Sequence, residues 1–266
     1  MHIFFRELKS RRISLVIWAA ALVAFLLLSM VKYETLSADP KALQTLMSQF
    51  PATIQAIFGM NRLDITTVEG YYGILFLYLA LLLAVQAGLM GVGLLAKEEE
   101  DKTTEFLYVK PFSRARILGE KIGAGLIVLI FINLVVFVSS LISCAQYLSS
   151  STILGQLLVA TAVALGLIQL VFFAIGLCIA AVIRLPKKAG TIVAGAVFAS
   201  YMLYVIINLL PALDWLQTLS IFSYFEVKTF IVSQQFDSWK IAVCIVVVLT
   251  CLVTAFIAYQ KRDLRA

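Results

Sequence analysis

The chain has 266 residues, of which 62% are hydrophobic and 14% charged, with a formal net charge of +6. Soluble domains run near half apolar and a quarter charged, so a single water-soluble core is excluded as the home for this much apolar surface. The positive balance has no basic patch interleaved with stacking aromatics, which argues against nucleic acid and for basic loops at a membrane surface.

Residues 1–12 set Ile3, Phe4, Phe5 and Leu8 against Arg6, Glu7, Lys9 and Arg11. That pattern predicts a short amphipathic elbow helix lying on the membrane; a disordered basic leader is the alternative. Six charge-free apolar runs follow: Ile13–Val31, Tyr71–Ala96, Ile122–Gln146, Ile153–Ile183, Ala189–Leu210 and Ile241–Tyr259. About 20 apolar residues make a helix of about 30 Å, enough to cross the hydrocarbon core. The first run is too long for the apolar region of a signal peptide. Leu36-Ser37-Ala38 also lacks a small residue at the first cleavage position, so the run reads as a retained anchor. The second and fourth runs are long enough to tilt or to extend past the bilayer. The fourth alternatively opens with an interfacial turn near Ser149–Thr152.

Two connections are long. Residues 32–70 carry Leu43, Leu46, Met47, Phe50, Ile54, Ile57 and Phe58 at a spacing that predicts one or two short interfacial helices, broken at Pro51. Residues 211–239 carry Trp215, Leu219, Phe222, Tyr224, Phe225 and Phe230. They are too apolar for a solvated loop and too interrupted for a span. The expectation is re-entrant short helices with aromatics at headgroup level. The fold class is thus all-α: one polytopic transmembrane domain over residues 1–266 with six spans, an elbow helix and short outer interfacial helices.

An even number of spans puts both termini on one side. Sixteen of the 21 Lys and Arg residues fall on that side; the other side has Lys32, Lys41, Arg62, Lys228 and Lys240. The positive-inside rule therefore makes both termini cytosolic. Cys144, Cys178, Cys244 and Cys251 have no metal-like spacing and His2 is the single histidine, so neither a metal nor a directly bound cofactor is expected.

The most informative stretch is cytosolic, over residues 97–118 and on to Lys121. It runs from Glu98, Glu99, Glu100 and Asp101 through Thr103-Thr104-Glu105 and Phe106-Leu107 to Pro111-Phe112-Ser113-Arg114, then Gly119-Glu120-Lys121. A mixed-charge surface of this kind suits docking of a folded partner; an ordinary solvated loop is the plain alternative. The order of these motifs resembles the ABC-2 type permeases, the membrane subunits of bacterial ABC exporters. In that family an acidic patch leads into Thr-x-Glu, an apolar turn, Pro-x-Ser-Arg and Gly-x-Lys. The terminal Lys261-Arg262-Asp263-Leu264 also resembles the family ending, and the likeness covers essentially the whole chain. Four consecutive acidic residues depart from the usual pattern.

The resemblance implies a type V exporter-like fold in the bacterial plasma membrane. It implies a coupling helix near Glu98–Pro111 seated in a separate ABC ATPase, with ATP and Mg bound there. The acidic residues would pair with basic residues of the ATPase. Phe106 and Leu107 would fill its cleft, Pro111 would end the helix, and Arg114 would sit at the inner membrane surface. The chain itself has no G-x-x-x-x-G-K-[ST] phosphate loop, so the energy source lies in another subunit. A second permease, identical or different, would complete the pathway, lined in the family by the first, second and fifth spans.

Gly88 and Gly91 in the second run, and Gly190, Ala194 and Gly195 in the fifth, let helices approach closely. They read either as packing within the chain or as a dimer seam or gate. The amides within these runs include Gln86, Asn133, Gln169 and Asn208. The absence of ionisable groups there argues against ion coupling and for an apolar or amphipathic cargo. A stand-alone secondary transporter or channel, and a membrane scaffold or sensor binding a cytosolic regulator, are the competing functions.

Overall fold

The computed structural model describes residues 2–57, 59–60, 63–100, 114–148, 151–183 and 186–261. Among the described residues there are nine α-helices and three 3₁₀ runs, with no strand. The helices are α1 (His2–Ser37), α2 (Pro40–Ser48), α3 (Ala52–Ile57), α4 (Val68–Glu100), α5 (Arg114–Cys144), α6 (Thr152–Val182), α7 (Pro186–Leu209), α8 (Val227–Ser233) and α9 (Ser238–Gln260). Six of them, α1, α4, α5, α6, α7 and α9, are long and apolar enough to cross a membrane. Hydrocarbon offers no partner to a free N–H or C=O, so helices satisfy every backbone group within themselves.

The helices outrun the charge-free stretches of sequence. α4 continues through Lys97 to Glu100, and α5 begins at Arg114 rather than at Ile122. Helical hydrogen bonding is indifferent to side-chain charge, and long charged side chains reach along the helix to water. The elbow expected at residues 1–12 is likewise not a separate element. From His2 onward these residues are the opening turns of α1, which runs unbroken to Ser37. No Gly or Pro interrupts it, and Glu7 pairs with Arg11 one turn later at 3.6 Å. Its 36 residues make a rod of about 54 Å.

Between α1 and α4 lie the two short helices α2 and α3 with the break at Pro51, and Gly59 takes a left-handed φ of +71° in the turn that follows. Asp64 then accepts hydrogen bonds from the Thr66 backbone and hydroxyl at 2.9 and 2.6 Å. These bonds hold its carboxyl below the usual carboxylate range. Thr67 caps α4, its hydroxyl accepting from the Gly70 N–H at 3.1 Å. After α7 the chain forms 3₁₀ runs over Pro211–Leu219 and Ile221–Phe225 before α8. Phe222, Tyr224, Phe225 and Phe230 are buried, while Trp215 and Leu219 face outward. The Ser220 hydroxyl donates to the Ser200 carbonyl at 2.8 Å, which lies about 14 Å back along α7 from its end.

α6 is the hub, packing on α4, α5, α7 and α9; α1 lies along α5. The α4–α6 pairing is the closest. A Cβ at Gly176 would collide with the Gly88 carbonyl oxygen, and one at Gly91 with the Phe173 carbonyl oxygen. Gly88 in turn receives Val193 of α7, whose methyl would stand 2.6 Å from an added Cβ. Polar ties close the end of the bundle away from the termini. Tyr33 donates to the Thr66 carbonyl at 3.0 Å and Tyr71 to the Ser29 carbonyl at 2.9 Å, while Ser151 pairs with Glu69 and Gln146 with Glu34.

Gly176→Ala is expected to force α4 and α6 apart and to cost about 1–3 kcal/mol, read as a lower thermal midpoint of the detergent-purified protein. Gly195→Ala, where no atom lies within 4 Å of the added carbon, is expected to leave the midpoint unchanged or raise it slightly. Equal effects of the two would refute the seam.

Candidate functional site

The end of the bundle that carries the termini is built by α1, α4, α5 and α9. The chain leaves α4 at Glu100 and re-enters the bundle at Arg114. These two roots are fastened to the bundle and to each other. Lys121 of α5 is fully buried, and its Nζ donates to the Leu94 carbonyl of α4 at 2.7 Å. An ammonium is an expensive group to remove from water, and it is held there by a charge-assisted bond. Beyond that tie, α4 and α5 each extend about 9–10 Å before the chain passes into residues 101–113. Arg114 is held from a third helix: its Nη1 donates to the Gln260 carbonyl at the end of α9, at 3.1 Å. Farther along the same helix, Arg116 meets Glu120 at 3.4 Å across one turn.

α1 closes the fourth side. Arg11 lies against Gly93, where its guanidinium would be 3.4–3.9 Å from an added Cβ, and Phe4 lies beside Gly123. Glu7 is buried and paired with Arg11. Arg11, Trp18, Gln86 and Met90 line a small cavity of about 170 Å³ between α1 and α4. Gln86 donates weakly to Met90 Sδ at 3.8 Å.

The residues singled out from sequence divide into three groups. Glu98, Glu99 and Glu100 form the last turn of α4, and Arg114 opens α5. Asp101, Thr104, Glu105, Phe106, Leu107 and Pro111 lie outside the described residues. The small residues separate by face. Gly88 and Gly91 are consumed by the α4–α6 contact inside the chain. A Cβ added at Gly190 would make ordinary contact with Leu89 at 3.8 Å, Ala194 is half-buried, and Gly195 faces open space. The Gly119–Gly123 pair makes no close seam: nothing lies within 4 Å of a Cβ at Gly119.

Sequence reading missed Lys121 as a structural tie and Gly176 as the partner of Gly88. The first had a signal, a lone Lys at the edge of an apolar run. The second was one glycine among several in a uniformly apolar helix. Of the amides, Asn133 donates to the Ala162 carbonyl and to Gln169 Oε1, each at 3.1 Å, and so joins α5 to α6.

Residues 1–264 match the family described as ABC-2 family transporter protein. No curated protein matches the chain.

Lys121→Met keeps the aliphatic stem and removes the charged donor. It is expected to lower stability by about 1.5–3 kcal/mol, measured as the thermal midpoint. Lys188→Met, at an exposed position on α7, is the matched control and should not move it.

Proposed function

The chain belongs to the ABC-2 family of transporter proteins, and from that premise we propose that it is an exporter permease that docks a separate ATPase through residues 98–114. As a family member it is a membrane transport subunit, working with an ABC ATPase. The finer reading rests chiefly on one observation: Lys121 ties α5 to the Leu94 carbonyl of α4 about two turns inside the roots of the 98–114 segment, and α9 holds Arg114. A segment that receives force from a partner needs roots anchored to the bundle, and these two bonds supply such anchors. Tilting α4 then moves α6, because the two backbones touch with no side chain between them.

ATP binding in two ATPases would bring them together, and each would press on one permease. The acidic run Glu98–Asp101 supplies negative charge for a basic cleft, and Phe106 and Leu107 supply apolar anchors. A second permease would complete the pathway. This is supported by a strip of α4 that stays accessible at helical spacing: Tyr78, Leu82, Val85 and Leu89. Its ends touch α1 and α7, Tyr78 through Phe25 at 6.5 Å between rings and Leu89 beside Gly190. The strip is apolar, which suits a cargo recognised by shape rather than by charge. The termini and residues 97–118 lie in the cytosol of a bacterial plasma membrane in this reading.

Co-expression with its ATPase should give a complex that survives purification, and Glu105→Lys should uncouple ATP hydrolysis from transport. A Glu105→Lys complex with unaltered coupling would refute the docking assignment. Cysteine at Gln235 should be labelled by a membrane-impermeant maleimide from outside intact cells. Cysteine at Thr103 should react only after permeabilisation. Labelling of Thr103→Cys from outside would reverse the orientation.

A further inference from the structure

A cationic cavity and an apolar trough meet on α1. The cavity, of about 170 Å³, lies where α1, α4 and α5 come together, and Arg11, Ser14, Trp18 and Gln86 supply its polar walls. The trough, of about 500 Å³, runs along α1 from Leu15 over Ala19, Ala20 and Ala24 to Leu27, with Phe131 of α5 as its other wall. Leu15 borders both, and on α5 Val128 of the cavity stands one turn from Phe131 of the trough. Val16, Leu27 and Phe131 are exposed, so the trough opens to lipid.

Arg11 turns one edge of its guanidinium inward and the other to the cavity. Nε is buried and faces the Glu7 carboxylate at 3.6 Å. Nη1 and Nη2 lie over Gly93, which makes room for them by lacking a Cβ. Among the described residues neither makes a hydrogen bond, and unlike Nε neither is sealed from the surface. Two parallel N–H donors on a cation match the oxygens of a phosphate. Arg11 is level with Gly93, one turn before Lys97, where the charge-free part of α4 ends. That is the edge of the hydrocarbon, the level of lipid headgroups. From Leu15 to Leu27 the trough is about 18 Å long, a little over half of a hydrocarbon core about 30 Å thick. It therefore spans the depth of one leaflet, starting just inside Arg11. Lys9 and Arg12, exposed within a turn of Arg11, repel a cationic headgroup and favour one of net negative charge.

We propose that the cavity and trough together bind one anionic glycerophospholipid of the leaflet on the side of the termini, its phosphate on Arg11 Nη1 and Nη2 and an acyl chain along the trough. Glu7 holds the guanidinium from behind, and Gly93 gives it space beside α4. The site rests on α1 and the helices it touches and not on ATPase docking, so either reading can fail without the other.

The test titrates the full chain, delipidated in detergent, with dioleoylphosphatidylglycerol or dioleoylphosphatidylcholine and counts bound lipids by native mass spectrometry. One phosphatidylglycerol is expected to bind at least about tenfold more tightly than phosphatidylcholine. Arg11→Gln should abolish that preference, and Ala24→Trp, which fills the trough, should weaken both lipids. Arg11→Gln leaves Glu7 buried and unpaired, so the double variant Glu7→Gln with Arg11→Gln guards against misfolding and should lose the preference as well. Arg12→Gln removes the same charge at an exposed position and should keep most of the preference. Equal binding of the two lipids by the parent chain overturns the proposal. So does an equal loss in Arg11→Gln and Arg12→Gln, which would mean diffuse attraction to a basic surface. Displacement of phosphatidylglycerol by inorganic phosphate at equal concentration would make this a free-anion site and would overturn the lipid assignment.

Discussion

The structure depends on the direct backbone contact between α4 and α6. Apolar side chains gain little by leaving lipid for one another, because acyl tails are equally apolar. What holds helices together in a membrane is close fit. Gly88, Gly91 and Gly176 supply that fit, and Val193 of α7 extends it to a third helix. The remaining spans are arranged around this pair. α5 and α9 rest on α6, α7 on both, and α1 on α5. The consequence for function is mechanical: the helix that carries one root of the cytosolic segment cannot move without carrying the hub of the bundle.

The two ends of the bundle are fastened differently. Away from the termini, tyrosines and carboxylates form a web of neutral and charge-assisted bonds over short helices and 3₁₀ turns. At the end with the termini, two cations reach across between helices: Lys121 on Leu94 and Arg114 on Gln260. Each of these cations meets the backbone of a neighbouring helix. They therefore set how the helix ends sit together.

The number, order and approximate extent of the spans were legible in the sequence because length and apolarity are what a bilayer demands. The two short helices flanking Pro51 were legible from a proline and a periodic pattern. The limits of α1, α4 and α5 were not. Counting charge-free residues locates the hydrocarbon, whereas the helix continues until its capping or connecting residues stop it. Residues 1–12 show the same thing, since an amphipathic pattern does not say whether a helix bends where its hydrophobicity changes. Gly88 and Gly91 could be seen as packing residues but not assigned a partner, because a glycine names no neighbour. Lys121 stood in the right motif and its tie to Leu94 did not, since a backbone carbonyl has no signature in a sequence.

α9 shows how differently composition and length can be constrained. Only Cys244, Ala255 and Tyr259 are buried along it, and most of its surface faces outward. Nearly any apolar residue will serve at such positions, so this helix is free to drift in sequence. Its last residue, however, supplies the carbonyl that holds Arg114. Adding or deleting one residue would move that carbonyl by about 1.5 Å and rotate it by about 100°. Substitutions should therefore accumulate freely in α9 over evolutionary time, while insertions and deletions should be purged from it.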